Sequence, residues 1–287
     1  MTVLLLGSTG RVGPHVARSL VSRSADVRVL SRDPDRASSV LPVEVEVKHG
    51  SSADVALHLE GVTAVLLLSE HGPDMQGVQK QVIDRLEGTG VRIVKISGST
   101  AIIRPDGPDA GRQHWAVEQA LARGVNPWIV LRPNAFMQTL VAGTAGTVAA
   151  GGFVANPIGT AGISLIDAVD ISEAAAVALL SNGEHDGKTY VLTGPRCYSY
   201  ADVAAGIAAA TGRDIDVKAV PAQSIGEALK SKGASDWEAD HLVGMLALFA
   251  EGVSEDTTDD VELLTGHTPR HLRDYLSDHP DLWRTTT

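Results

Sequence analysis

At 287 residues the chain has room for one large domain or two modest ones with an ample core. Its 44% hydrophobic and 21% charged residues are ordinary for a water-soluble globular protein, and its net charge of −11 disfavours nucleic acid, whose phosphates it would repel. A single cysteine, Cys197, cannot close an intrachain disulfide; the start lacks a signal peptide's basic n-region and cleavage site, and Val3 to Leu6 is far too short to cross a bilayer, so the expectation is a cytoplasmic protein with no membrane partner.

The first half alternates apolar runs with helical patterns. Residues 2–6 read as a buried strand, and residues 12–22 follow with apolar residues at Val12, Val16, Leu20 and Val21, a helical spacing. Strands are then expected at 27–30, 43–48, 64–68, 92–96 and 128–131. Between them fall helices from Asp35, near 53–60, over 75–87 and over about 112–122. Short connections and solid apolar strands predict a doubly wound α/β fold with a parallel sheet buried on both faces. The rhythm stops after Arg132. Residues 133–163, rich in Gly, Ala and Thr, read as a loop region, followed by a helix over 170–180 capped by Asp170 or Ser172 and a strand at 189–192. Helices are expected at about 200–210, 222–231 and 236–250, with a last one starting near 269–270. The polar stretch 254–260 reads as a loop and the tail 285–287 as a frayed end. This predicts a dinucleotide-binding domain over 1–150, joined by part of 163–195, and a smaller, mostly helical substrate lobe over 196–287 that takes in the loop 133–160.

The stretch Gly7-Ser8-Thr9-Gly10-Arg11-Val12-Gly13 lies directly after the first strand and opens the first helix. Glycine at the strand end permits a turn that a Cβ would block. The middle glycine lets a pyrophosphate approach the backbone, and the third lets helix and strand pack closely. Free N–H groups and the helix dipole favour the phosphate charge. The spacing differs from the more common G-x-G-x-x-G, but its place at the head of a β-α alternation makes it specific. At the end of the second strand an NAD site usually carries Asp or Glu for the ribose 2′-hydroxyl. Here Ser31 and Arg32 stand in that place. A planar, always charged arginine suits a phosphate, so NADP(H) is expected over NAD(H), with Asp33 a candidate partner that would compete for Arg32 and Arg36 a second candidate contact.

GSTGRVG, SRDP, KISGS, HWAVEQAL and LRPNAFMQ occur in that order, followed by DAVDISEAAAVALL and GKTYVLTGP. Together they resemble the atypical short-chain dehydrogenase/reductases, in particular the NmrA-like branch with the type-2 NAD(P)H:quinone reductases. The resemblance spans roughly residues 1–210 plus TPRHLRDYL near the end. It implies NADP(H) along Gly7 to Gly13 and Arg32, Leu68 and Ser69 beside the adenosine and ribose, Ser97 to Ser99 near the nicotinamide, and Pro133, Asn134 and Phe136 beside it. Many members carry Gly-Asp after the third strand where this chain has Gly50-Ser51. The branch includes quinone reductases and ketoreductases that tailor aromatic polyketide antibiotics.

Ordinary short-chain reductases use Tyr-x-x-x-Lys, which is absent: Tyr190, Tyr198, Tyr200 and Tyr275 have Gly194, Asp202, Ala204 and His279 four residues on. The corresponding helix carries His114-x-x-x-Glu118, one turn apart on one face. His114 is the candidate proton donor, with Glu118 expected to hold its tautomer and raise its pKa; the alternative is a structural pair. Ser97 or Ser99 is a candidate to bond the carbonyl oxygen. His267 and His271 flank Pro269 and do not read as a metal site, and Cys197 does not read as a nucleophile. The expected activity is NADPH-dependent reduction of a bulky aromatic ketone or quinone by a monomer or homodimer. A quinone or conjugated ketone yields a stabilised anion after hydride transfer and needs less help from an acid. The rival reading is a non-catalytic NADP(H)-sensing regulator.

Overall fold

The computed structural model describes residues 1–283. The expected frayed tail at 285–287 lies outside them. In chain order the elements are β1 (Thr2–Leu5), α1 (Gly13–Ser22), β2 (Asp26–Ser31), α2 (Pro34–Val40), β3 (Glu46–His49), a 3-10 helix Ser52–His58, β4 (Val62–Leu67), α3 (Met75–Leu86), β5 (Arg92–Ile96), α4 (Asp109–Arg123) and β6 (Trp128–Pro133). Then follow α5 (Met137–Leu140), α6 (Ala145–Gly151), β7 (Phe153–Asn156), β8 (Gly162–Ile163), α7 (Ala168–Leu180), β9 (Lys188–Leu192) and β10 (Tyr198–Ser199). The chain ends with α8 (Tyr200–Thr211), β11 (Asp216–Ala219), α9 (Ala222–Ser231), α10 (Asp236–Ala250), α11 (Asp260–Thr265) and α12 (Leu272–Asp278).

The chain divides into two compact units. The first comprises residues 1–133, 168–191 and 260–266. Its seven-stranded sheet has the order β3-β2-β1-β4-β5-β6-β9, with parallel pairing from β3 through to β6. The order reverses at β1, where β2 lies on one side and β4 on the other, as in a doubly wound Rossmann fold. Both faces of the strands are buried because helices cover both sides, which is why β1 and β4 are mostly Val and Leu and why β5 sets Ile and Val around its one buried lysine. One side carries Val82, Ile83 and Leu86 of α3 and Val117 and Leu121 of α4 against Val65, Leu67, Ile93 and Val130. Helix α7 packs against α1 and against β4, β5 and β6. Because the strands are parallel, the turns after β1, β2, β4 and β5 share the sheet's C-terminal edge.

The second unit comprises residues 134–167, 192–259 and 267–287. Its core gathers Met137, Val148, Val154, Leu165, Tyr198, Ile207, Leu246, Phe249, Tyr275 and Trp283. The run from Leu242 to Phe249 contributes to this core.

Several expectations need correction. The first segment of the first unit ends at Pro133, not at residue 150, because Met137, Val141 and Val148 are buried among second-unit residues. Residues 133–160 are not a loop but hold α5, α6 and β7, whose small residues give short elements a weak periodicity. Helix α7 begins at Ala168, so Asp170 and Ser172 lie inside it rather than capping it. Residues 260–266, expected in the lobe, return to the first unit as α11, beside α7.

Candidate functional site

The turn after β1 is shaped by two glycines that have no alternative. Gly7 sits at φ +67°, and a Cβ there would lie 2.6 Å from the Leu68 carbonyl oxygen. A Cβ on Gly13 would lie 2.3 Å from the Ser8 oxygen. Gly10 is different: its nearest such neighbour is the Gly7 oxygen at 3.7 Å, ordinary contact distance. Nothing in its own chain requires glycine there, so the open space above it is room for something else. Helix α1 starts at Val12 with no side-chain cap and no acidic residue in its first turn, and Pro14 occupies the start without loss. No capping side chain takes up its first N–H groups, which suits a bound phosphate. Ser8 Oγ is buried and makes no hydrogen bond. Thr9 is half-buried, Arg11 exposed and Val12 buried, its carbonyl accepting from His15 and Val16. An uncapped helix end, an unfilled Cβ position and an orphaned hydroxyl together fit a pyrophosphate.

At the end of β2, Ser31 Oγ donates to the Asp33 carbonyl at 2.8 Å and accepts from its N–H. Asp33 caps α2 by accepting from Arg36 N–H at 3.0 Å, so it is not the partner of Arg32. That partner is Glu70, 3.6 Å away in the turn after β4, and both side chains are more than 80% exposed. After β3, Ser51 opens the 3-10 helix in a capping box with Asp54.

The turns after β4 and β5 meet through a polar network that the sequence pattern did not suggest. Gln79 Nε2 of α3 donates to Ser69 Oγ at 2.9 Å. Its Oε1 accepts from Lys95 Nζ at 2.7 Å. Lys95 stands inside β5 with no exposed surface, its Nζ 3.3 Å from the Ile96 carbonyl oxygen and 3.1 Å from His114 Nδ1. Burial drives its pKa down to about 7, with the charge of Glu118 opposing the shift. His71, in the turn after β4, stacks on His114 at 5.9 Å between centroids. Gly98 makes room for the imidazole, since a Cβ there would lie 3.0 Å from His114 Cδ2 and 3.3 Å from Nε2.

Glu118 does not hold His114 as expected. Its carboxylate accepts Ser97 Oγ at 2.6 Å and an ion pair from Arg132 of β6. The group at His114 Nδ1 is Lys95. Because Ser97 spends its hydrogen on Glu118, its oxygen is left as an acceptor and not as a donor toward a carbonyl. Ser99 is buried beside it and accepts from Ala101 N–H. The first unit thus brings together the glycine turn, Leu68, Ser69, Ser97, Ser99, His114 and Glu118, and Pro133 closes its β6. Asn134 and Phe136 belong to the second unit. There Asn134 Nδ2 donates to Ser164 Oγ at 2.6 Å and Phe136 bridges to Ile166. Lys95, Gln79 and Arg132 were missed. The available signal was a lone lysine within RIVKI, where both faces of the strand must be buried.

Among the described residues no helix is long and apolar enough to cross a membrane. Residues 7–162 match the NAD(P)H-binding family. Over 98% of its length the chain is 28% identical to the uncharacterized oxidoreductase YesF of Bacillus subtilis, covering 96% of that protein. It is 27% identical to the NAD(P)H azoreductase of Xenophilus azovorans, over 96% of this chain and 97% of that one. In fold it is similar to the NADPH-dependent quinone oxidoreductase of Escherichia coli complexed with NADPH: TM-score 0.85, 24% identity, covering 97% of this chain and 99% of that one.

Proposed function

The chain belongs to the NAD(P)H-binding family, and from that premise we propose that it is an NADPH-dependent reductase of a quinone or a conjugated aromatic ketone. The observation that carries the reading is the run of hydrogen bonds from Ser69 through Gln79 and Lys95 to His114. It ties the expected cofactor turns to a buried, proton-bearing imidazole on the same sheet edge. Gly7 to Gly13, with Ser8 and the α1 N-terminus, would hold the pyrophosphate, and Arg32 the 2′-phosphate. Bound there, NADPH supplies hydride.

The remaining work falls to the chain's own residues. His114 donates a proton to the oxygen that becomes negative. Glu118, fixed by Arg132, accepts Ser97 and so sets the loop that carries Gly98 and Ser99. The relatives named above include an azoreductase and a quinone oxidoreductase, acceptors with extended conjugation. Such acceptors tolerate the missing Tyr-x-x-x-Lys, because the anion they form is delocalised.

The test is the loss of NADPH absorbance with a panel of quinones and polycyclic aromatic ketones, with NADH run in parallel. Oxidation with NADPH preferred supports the reading. Tight NADPH binding with no oxidation across the panel overturns it in favour of a dinucleotide-sensing protein.

A further inference from the structure

Lys95 is fully buried in the middle of a strand, and the reaction above gives it no part. A buried lysine is costly unless its hydrogens are taken up. Three acceptors surround Nζ: Gln79 Oε1 at 2.7 Å, His114 Nδ1 at 3.1 Å and the Ile96 carbonyl at 3.3 Å. An ammonium has three hydrogens, so all three are matched. That match has a consequence for the imidazole. If Nζ donates to Nδ1, then Nδ1 carries no hydrogen and the neutral ring must carry its proton on Nε2. Nε2 is the nitrogen that lies against Gly98, in the turn after β5.

We propose that Lys95 is the positioning residue and proton reserve of His114: its ammonium fixes the Nε2–H tautomer and refills the ring through Nδ1 as Nε2 gives its proton away. The inference rests on the reductase reading. A neutral imidazole that lost its Nε2 proton alone would become an anion. With Lys95 behind it, one N–H bond breaks at Nζ and one forms at Nδ1, while one breaks at Nε2 and one forms on the acceptor's oxygen. The ring ends neutral, with its proton on Nδ1, and Lys95 ends as a neutral amine. The acceptor has then gained a hydride from NADPH and a proton from the protein. Burial makes the amine accessible near neutral pH, since the Lys95 pKa falls to about 7. The charged and titratable neighbours are Glu118 on the helix of His114, Arg132 of β6 bound to it, and His71 stacked on the imidazole.

The tautomer is read directly by nitrogen-15 NMR of histidine-labelled full-length protein, with no cofactor or acceptor present. The expected result is Nε2-protonated His114 in the wild type and a mixed or Nδ1-protonated ring in Lys95→Met. Turnover of 1,4-naphthoquinone with NADPH should fall roughly 10-fold or more in Lys95→Met, with KM for NADPH unchanged and a changed pH profile. An Nδ1-protonated His114 in the wild type overturns the pairing, and so does a tautomer that ignores the substitution. A shifted tautomer with unchanged turnover and pH profile overturns the proton reserve. If the variant does not fold, the wild-type spectrum at about pH 6, below the Lys95 pKa of about 7, decides, because the ammonium demands Nε2–H there. If the wild type oxidises no NADPH with any acceptor yet shows the expected tautomer, the reductase reading fails and the proton reserve with it.

Discussion

Gly10 is the least constrained of the three turn glycines by its own chain, and that separates two kinds of substitution. Gly7→Ala and Gly13→Ala drive a Cβ into backbone at 2.6 and 2.3 Å, so each should lower stability by roughly 1–3 kcal/mol in thermal unfolding. Gly10→Ala meets nothing closer than 3.7 Å and should leave stability within about 0.5 kcal/mol while weakening NADPH binding by roughly 10-fold or more, measured by fluorescence titration. Arg32 and Glu70 form an exposed pair that contributes little to stability. Arg32→Ala should raise KM for NADPH roughly 10-fold and leave KM for NADH unchanged, because only NADPH carries the 2′-phosphate. Glu70→Gln should do the opposite by freeing Arg32. Lys95 predicts a pH dependence of stability. Its folded pKa of about 7 lies below its unfolded value, so between the two the unfolded chain binds the proton and the native chain does not. Stability from this group therefore rises with pH across that window, and Lys95→Met should flatten the rise in chemical denaturation at a series of pH values. The glycines were legible in the sequence because their spacing is local. Lys95 was not, because a lysine's burial depends on Gln79 and His114, which the chain brings to it from 16 and 19 positions away.

Elements were legible in proportion to how far their pattern departs from a mixture. Strands β1, β4 and β5 are built mainly on Val, Leu and Ile that a doubly covered sheet buries, Lys95 of β5 excepted, and they fall within a residue or two of where the sequence puts them. Residues 52–58 carry a helical pattern but form a 3-10 helix, which the Ser51–Asp54 capping box starts. The misread stretch is 133–160, where Ala, Gly and Thr are common in α5, α6 and β7 and a few apolar residues, Met137, Val141, Val148, Val154 and Ile158, mark the buried side. Helices α8 and α10 each begin with a serine-acid capping box, whereas α1 begins bare. Ser199→Ala removes the bond to the Asp202 N–H and should cost about 1 kcal/mol in thermal unfolding, with KM for NADPH unchanged.

At the scale of the whole molecule the β-α alternation was read correctly, and so was the presence of a second body; where the chain passes between them was not. Passage between units follows contact across the sequence, and no local pattern reports it. The units exchange the chain after residues 133, 167, 191, 259 and 266. A fragment of residues 1–133 would therefore lack α7, which covers β4, β5 and β6, and the edge strand β9. It should fail to give a cooperative melt by circular dichroism, and a sharp transition would show that α7 is dispensable. The same interleaving bears on how such a chain recombines over generations. A single crossover between two related genes, wherever it falls, leaves at least one of the two bodies assembled from both parents. No contiguous stretch of coding sequence carries the second unit alone. A laboratory transplant of the second unit must move its three segments together.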